Sequence, residues 1–180
     1  MLETHDEIAC VARCLKGEAS AFEPLVTQYQ RVLFTVALRL LGNAEDARDA
    51  TQNAFVRAYQ RLDTFDPSRR FFSWIYRIAV NESLNLRRAQ RPHETLPETL
   101  ETAGGGAIDA VEARELSERV QAALMTLSTE HREVVVMRHF ADLSYQEIAE
   151  TLDIPEKTVK SRLFSARQRL APLLAAGDGR

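Results

Sequence analysis

Apolar residues recur at helical spacing along most of the chain, whereas the alternation typical of strands is absent apart from a valine run at 134–136 that lies in a helical frame. Ser20 and Glu23 have the spacing of a capping box, which predicts a helix starting at Ser20. Gly42 ends the apolar stripe of that helix. The pattern therefore predicts an all-α protein.

Four further helices follow from the same spacing. Asn43 is placed to cap a helix that runs to about Leu62, with a slim inner face of alanines. The predicted inner residues of the other three helices are Ile8, Val11, Ala12 and Leu15 near the N-terminus, Ile75, Ile78, Ala79 and Leu86 before residue 91, and Val111, Leu116, Val120 and Leu124 after the glycine run.

The composition changes after Arg91. Residues 92–111 contain Pro92, Pro97 and three consecutive glycines, which leave little room for a long helix, and acids that favour solvation. We predict two small helical domains, residues 1–91 and residues 112–175, joined by a flexible acidic linker at 92–111.

The stretch from Leu143 to Leu170 has the pattern of a helix-turn-helix. Ser144 and Glu147 form a capping box that starts the first helix, and Pro155 suits the first turn of the second. The inner stripe of the second helix is Val159, Leu163, Ala166 and Leu170.

The outer face of this second helix carries basic and hydroxyl side chains and no acid from 157 to 169. Small hydroxyls allow a helix to approach base edges in a major groove, and Arg or Lys reaches guanine or phosphate. A solvated face of an ordinary helical hairpin is the alternative. The candidate duplex-reading residues are Lys157, Thr158, Lys160, Ser161, Arg162, Ser165 and Arg167.

A second polar stripe follows a turn-rich loop in the first half. The stripe carries one indole, two amides and two guanidinium groups, which can stack on bases and bond their edges, as single-stranded nucleic acid requires. The alternative is that the aromatic residues are core, which we favour for Phe72 and leave open for Trp74. The candidate residues of the loop and stripe are Arg69, Arg70, Phe71, Trp74, Arg77, Asn81, Asn85 and Arg88.

Net charge is only −3, so no global basic field marks a nucleic-acid binder, but residues 57–91 hold eight arginines against three acids. No apolar run approaches the roughly 20 residues of a membrane span, and the acidic start lacks a signal peptide, so we expect a cytoplasmic protein. Cys10 and Cys14 could form a metal or redox site with His5, but no second ligand pair follows, so we favour two buried cysteines that act as small apolar residues.

Three motifs in this order resemble the extracytoplasmic-function (ECF) sigma factors, the dissociable promoter-specificity subunits of bacterial RNA polymerase. They are AEDARDATQNAFVRAY, FSWIYRIAVN, and YQEIAETL with TVKSRL, and the resemblance covers roughly residues 20–91 and 112–172.

The resemblance implies a role for each part. The helix from Asn43 to Leu62 would dock on core RNA polymerase, since Asp49, Gln52 and Phe55 match the family motif, while Asn53 replaces a usual carboxylate. The loop at 64–72 and the following helix would read and open the −10 element, and the helix-turn-helix would read the −35 element. The linker would thread toward the active-site and RNA-exit channel, and an anti-sigma factor is an expected partner.

Two other function classes have different requirements. A stand-alone helix-turn-helix repressor or activator would dimerise and bind duplex DNA tightly without polymerase, and it leaves the stripe from Trp74 to Arg88 unexplained. An enzyme acting on nucleic acid would need a carboxylate cluster, a phosphate-binding glycine loop or a nucleophile–base pair, and the sequence offers none. We therefore expect a non-enzymatic protein without cofactor or metal.

Overall fold

The computed structural model describes residues 4–89 and 107–175, and these residues form helices without strands. They fall into two compact units. The N-terminal unit contains α1 to α4 and the C-terminal unit contains α5 to α8. The predicted all-α class is confirmed. Most of the predicted linker lies outside the described residues.

The N-terminal unit is a bundle of four helices with two short 3₁₀ segments, Ala19–Phe22 and Leu62–Thr64. The helices are α1 (Thr4–Leu15), α2 (Glu23–Leu41), α3 (Ala44–Gln60) and α4 (Phe71–Ala89). Gly42 ends α2 with a φ of 91°, a left-handed conformation that glycine adopts without a Cβ penalty.

The alanines of α3 are buried as the spacing predicts. Ala47, Ala50, Ala54 and Ala58 are each 0% exposed. Side chains this small let the α3 backbone approach its neighbours closely, which leaves the polar side chains of α3 on its outer surface.

Aromatic side chains fill the space between α2, the loop after α3, and the start of α4. Phe71 is 1% exposed, and its ring centroid lies 5.4 Å from that of Phe65 and 5.5 Å from that of Trp74. Tyr29 packs on Phe71 and Phe72 at 5.9 and 5.4 Å. Its hydroxyl donates to Glu7, so the cluster also anchors α1.

Two predictions about the start of the chain are wrong. The capping box at Ser20 does not form, because Ser20 lies in a 3₁₀ turn and α2 begins at Glu23. The buried face of α1 contains Glu7, Cys10, Val11 and Cys14, whereas Ala12 and Leu15 are exposed. The buried Glu7 meets Tyr29, which supplies the partner that a buried carboxylate needs.

Tyr76 tests whether every buried polar group in the core has a hydrogen-bond partner. It is 0% exposed, and its hydroxyl has no hydrogen-bond partner among the described residues. Burial raises the pKa of Tyr76, so the phenol stays neutral. Tyr76→Phe removes an unsatisfied donor while keeping the ring, so we expect it to raise the free energy of unfolding by about 1 kcal/mol in a urea titration. A loss of stability would show that the hydroxyl has a partner.

The C-terminal unit consists of α5 (Ala107–Met125), α6 (Thr129–His139), α7 (Tyr145–Leu152) and α8 (Glu156–Ala175). Helix α5 begins at Ala107, five residues before the predicted start of this domain at residue 112. Leu116 is 54% exposed rather than buried as predicted, and Leu124 is buried. The valine run at 134–136 is helical, and its three side chains are buried in the core of the C-terminal unit.

Helices α7 and α8 form the predicted helix-turn-helix. The hydroxyl of Ser144 accepts from the backbone N–H of Glu147, and the Glu147 carboxylate accepts from the Ser144 N–H, which completes the capping box. Asp153 ends α7 in the left-handed region, with φ 52°. The stripe at Val159, Leu163, Ala166 and Leu170 is buried, so the orientation of α8 is as predicted.

Candidate nucleic-acid interface

Every residue predicted to read duplex DNA lies outside the buried stripe of α8, with Lys157 and Ser161 on the opposite face and Arg162 and Arg167 flanking the stripe on either side. Lys157, Lys160, Ser161 and Arg167 are exposed, and Thr158, Arg162 and Ser165 are half-buried. All seven lie on one helix held by α6 and α7, so a rigid surface presents them.

Phe164 also lies on this face, and the sequence analysis did not include it. Its side chain is 64% exposed, the most of any large apolar residue that the structure describes. It follows Ser161 by three residues and Lys157 by seven, so helical spacing alone could have found it. An exposed ring among hydroxyl and basic groups can contact a thymine methyl in a major groove.

Two of the basic groups form ion pairs with neighbouring carboxylates. Arg162 pairs with Glu130 of α6 at 2.9 Å, and Lys160 pairs with Glu156 one turn earlier at 2.6 Å. The Lys160 ammonium also lies 5.6 Å from the centroid of Tyr145. The exposed Lys160 pair contributes little to stability, and the Glu130 carboxylate that holds half-buried Arg162 is itself 65% exposed, so phosphates can replace both carboxylates at small cost.

His139 lies at the end of α6 near the same basic surface. Burial, followed by the nearby guanidinium groups of Arg167 and Arg138, lowers the pKa of His139. Since burial is the larger cause, the nearby guanidinium groups of Arg167 and Arg138 add a secondary electrostatic effect on this side of the unit.

The polar stripe of α4 is divided between surface and core. Asn81, Asn85 and Arg88 are exposed, whereas Arg77 and Trp74 are half-buried. Trp74 packs on Phe65 and Phe71 with centroids 5.5 Å away in both cases, so its indole is partly core and partly surface. Phe72 is half-buried against Tyr29, which agrees with the favoured core interpretation.

Phe71 corrects the predicted site. At 1% exposure it cannot stack on an unpaired base, so its role is to support Trp74 and Phe65 from beneath. The periodicity of α4 did not reveal this, because the partners that cover Phe71 come from α2 and from the loop before α4.

The loop before α4 contains an Asp66 turn. The Asp66 carboxylate accepts from the Ser68 backbone N–H at 2.9 Å and from the Ser68 hydroxyl at 2.8 Å. These hydrogen bonds, with a weaker contribution from Arg69, lower the pKa of Asp66. Arg69 and Arg70 remain exposed beside this ordered turn.

A third surface lies between α2 and α3. An open groove of about 540 Å³, the α2–α3 groove, has Phe34, Phe55 and Val56 among its apolar lining residues and Gln52 among its polar ones. Phe55 is 9% exposed within it. Asp49 and Asn53 are exposed on α3 but do not line the groove, so the structure brings Gln52 and Phe55 together and leaves the other two predicted residues on the adjacent surface.

The thiols lie in the core and not at a surface site. Cys10 and Cys14 are buried and unbridged, and burial raises the pKa of Cys14. Within the described part of the chain, no group of three or more His, Cys, Asp or Glu side chains is arranged to hold a metal ion. None of the helices in that part is long and apolar enough to cross a membrane.

Each of the two units matches a known protein family. The Sigma-70 region 2 family matches residues 25–93, and the Sigma-70 region 4 family matches residues 117–170. The first match contains most of α2 and all of α3 and α4, and the second contains α7 and α8 as far as residue 170.

Individual relatives match over nearly the whole chain. The ECF RNA polymerase sigma factor SigW of Bacillus subtilis (strain 168) is 35% identical over 167 residues, which are 86% of this chain and 89% of that protein. The ECF RNA polymerase sigma-E factor of Escherichia coli (strain K12) is 34% identical over 182 residues, with coverage of 94% and 95%.

Two solved structures share the fold. CnrH, in complex with the cytosolic domain of CnrY, matches with a TM-score of 0.72 and 31% identity over 94% of this chain and 97% of that one. The sigma factor RpoE, in complex with the anti-sigma factor NepR from Bartonella quintana, matches in fold with a TM-score of 0.69 at 20% identity, over 87% and 98%. With two family matches and relatives above 30% identity over most of its length, this chain belongs to the ECF group of RNA polymerase sigma factors.

Proposed function

We propose that the two units divide promoter recognition between them while the N-terminal unit is bound to core RNA polymerase. The observation that carries this proposal is the presence of three chemically distinct surfaces: a basic helix face, an amide and guanidinium stripe, and an apolar groove. Each suits a different ligand, namely duplex DNA, unpaired DNA and a protein helix.

The duplex reader is α8. Its exposed hydroxyl and basic groups, with the ring of Phe164, have the chemistry of major-groove readout, and α7 is positioned to contact the DNA backbone as in other helix-turn-helix proteins. We assign the −35 element to Lys157, Thr158, Lys160, Ser161, Arg162, Ser165 and Arg167, and we add Phe164.

The reader of the opened −10 element is the stripe of α4 with the loop before it. Unstacking a base costs a few kcal/mol, and stacking on an aromatic side chain recovers about 1–3 kcal/mol per base. The partly exposed indole of Trp74 supplies a stacking surface, while Asn81 and Asn85 supply donors and acceptors for base edges. Arg69, Arg70, Arg77 and Arg88 supply charge.

The α2–α3 groove is the proposed docking site for a helical segment of core RNA polymerase. Apolar anchors in a groove with a polar rim are the usual pattern of such contacts. Gln52 and Phe55 act within the groove, and Asp49 and Asn53 act on the surface beside it. Since Asn53 carries no charge, it would offer an amide hydrogen bond where the family motif usually has a carboxylate.

We also propose control by an anti-sigma factor. CnrH was solved with the cytosolic domain of CnrY, and RpoE with the anti-sigma factor NepR. An inhibitor that covers the α2–α3 groove would prevent binding to polymerase, and release of the inhibitor would restore it.

Transcription in vitro tests the proposed function. Core RNA polymerase with this chain should transcribe from promoters in the DNA of the source organism that core polymerase alone ignores. The free chain should bind duplex DNA weakly, because a protein with a net charge of −3 neutralises few phosphates and therefore releases few counterions from the DNA. Tight, dimeric binding of the free chain to one duplex, without stimulated transcription, would instead identify a stand-alone repressor or activator.

Phe164→Ala tests the assignment of α8. Because the ring is mostly exposed, we expect unchanged stability and unchanged binding to core polymerase. Removal of one apolar group from the base-reading face should weaken promoter binding by the holoenzyme about fivefold, at the lower end of the range for one base contact. Arg162→Gln should likewise leave polymerase binding unchanged and weaken recognition of the −35 element. If both variants used promoters as the wild type does, the assignment would be contradicted.

A further inference from the structure

A carboxylate from outside the helix-turn-helix contacts the duplex-reading helix. Glu130 lies in the first turn of α6, and its Oε2 is 2.9 Å from Nη2 of Arg162 in α8. The Arg162 side chain is 21% exposed, so the pair fills a half-buried position at the edge of the reading surface. The proposed function assigns Arg162 to the −35 element but gives no role to the acid that holds it.

A carboxylate beside Arg162 affects phosphates and bases differently. Every DNA sequence presents phosphates, and the Glu130 charge repels each of them. A base edge has no net charge, so Glu130 does not repel it. A guanidinium has five N–H donors, so the contact with Glu130 leaves others to donate to a base. The pair therefore weakens the attraction of Arg162 to the DNA backbone and keeps its capacity to bond a base edge.

The packing of the unit keeps the Glu130 charge beside Arg162. Helix α6 packs directly on α8, and the helix dipole favours an anion in the first turn of α6. A phosphate can displace the exposed carboxylate from the guanidinium, but the two anions then share one cation at close range. The resulting cost is small, yet it applies to the backbone of every sequence and not to the base edge that Arg162 reads.

The ion pair of Lys160 lacks these properties. Lys160 pairs with Glu156 one turn earlier on the same helix, and the two side chains are 56% and 46% exposed. An ammonium is also a strongly hydrated point charge, whereas a guanidinium is a planar fork that matches two acceptors at once. The pair between α6 and α8 is therefore the one that can select between a backbone and a base.

We propose that Glu130 is a specificity-determining residue: it lowers the attraction of Arg162 to the DNA backbone and thereby reserves Arg162 for the N7 and O6 acceptors of a guanine in the −35 element. Glu130 acts through Arg162 and does not itself contact DNA. This inference deepens the proposed function and rests on it, because it requires α8 to read duplex DNA.

The first test compares the full-length wild-type chain with Glu130→Gln on one labelled, mixed-sequence duplex. Fluorescence anisotropy measures the affinity over a range of salt concentrations. Removing the carboxylate should tighten this sequence-independent binding about threefold. The slope of log affinity against log salt should become steeper by about 0.9, because Arg162 would then neutralise one more phosphate.

The second test measures which bases are selected. Core polymerase carrying either the wild type or Glu130→Gln selects bound sequences from a pool of randomised duplexes. The variant should lose the preference for guanine at one position and keep the preferences at the others. An ion pair that only stabilises the fold would not relax a single position.

Two further variants serve as controls. Glu130→Asp keeps the charge and should restore the wild-type salt slope and base preference. Glu118→Gln removes another exposed carboxylate of the same unit, one that pairs with Arg114 within α5 at 3.0 Å, and it should change neither. Thermal unfolding followed by circular dichroism confirms that all three variants are folded.

The outcomes separate this inference from the proposed function. If Glu130→Gln selects the same sequences as the wild type, or has the salt slope of the Glu118→Gln control, Glu130 only stabilises the fold and the inference is wrong, even where the chain supports transcription. A wild-type chain that selects no sequence with core polymerase would contradict the proposed function, and the inference with it.

Discussion

Arg132→Ala should unfold the C-terminal unit at ordinary temperature. Arg132 is 2% exposed, and its guanidinium donates to the carbonyl of Leu124 at 2.9 Å, that of Met125 at 3.0 Å and that of Leu127 at 3.2 Å. It therefore supplies donors to carbonyls at the end of α5 and in the turn into α6. Removing it takes a donor from all three carbonyls, of which that of Leu124 alone keeps a second donor among the described residues, the Leu127 backbone N–H at 3.1 Å, and it opens a cavity.

The expected loss is about 3–5 kcal/mol, which is a large share of the stability of a small helical unit. Urea unfolding followed by circular dichroism measures it. The protein has a single tryptophan, Trp74, which lies in the N-terminal unit, so its fluorescence reports that unit separately. Circular dichroism should show an early loss of helix that Trp74 fluorescence does not follow.

Two further variants isolate the cause. Arg132→Met keeps most of the buried stem but no N–H group, so a similar loss would assign the effect to hydrogen bonding, and a smaller loss to the cavity. Arg114→Ala removes an exposed arginine whose only ion pair among the described residues is with Glu118 on the same helix, and it should change stability by less than about 0.5 kcal/mol. Unaltered unfolding of Arg132→Ala would refute the structural role.

Val56→Asp should abolish stable binding to core RNA polymerase. Val56 is 48% exposed on α3 and lines the α2–α3 groove with Phe34 and Phe55, so an aspartate can be hydrated in the free protein. On binding, however, the carboxylate would be buried in an apolar contact without a partner. Desolvation of such a charge costs several kcal/mol, so we expect at least a hundredfold loss of affinity.

The measurement is a binding titration with core polymerase, accompanied by an unfolding curve of the free variant. Leu15→Asp is the matched control, because Leu15 is a 55% exposed apolar residue at the end of α1 and lies outside the groove. It should bind polymerase like the wild type. Retained affinity in Val56→Asp would mean that polymerase docks on another surface.

The helix-turn-helix was predictable in detail because its signals are local. The capping box at Ser144 and Glu147 uses groups three residues apart, and the stripe from Val159 to Leu170 requires only one helix with one buried side. The same holds for the alanine face of α3. Such features can be recognised in the sequence without knowing which helix packs against them.

The errors occurred where a distant partner decides the outcome. Ser20 has the spacing of a cap, yet a 3₁₀ turn at Ala19–Phe22 takes its place and buries Phe22. Glu7 is buried in α1 because Tyr29 of α2 provides a hydrogen bond. Phe71 has the sequence position of a loop aromatic residue, but Tyr29 and Phe65 cover it.

The sequence by itself thus determined the helical class, the order of the elements, the helix-turn-helix and the family, since these depend on short-range spacing and on motifs read in order. Only the tertiary structure decided which aromatic rings remain accessible, which apolar residues form the α2–α3 groove, and that Glu130 of α6 pairs with Arg162 of α8. These properties depend on how neighbouring helices pack, and the periodicity of a single helix contains no information about the side chains that its neighbours bring to it.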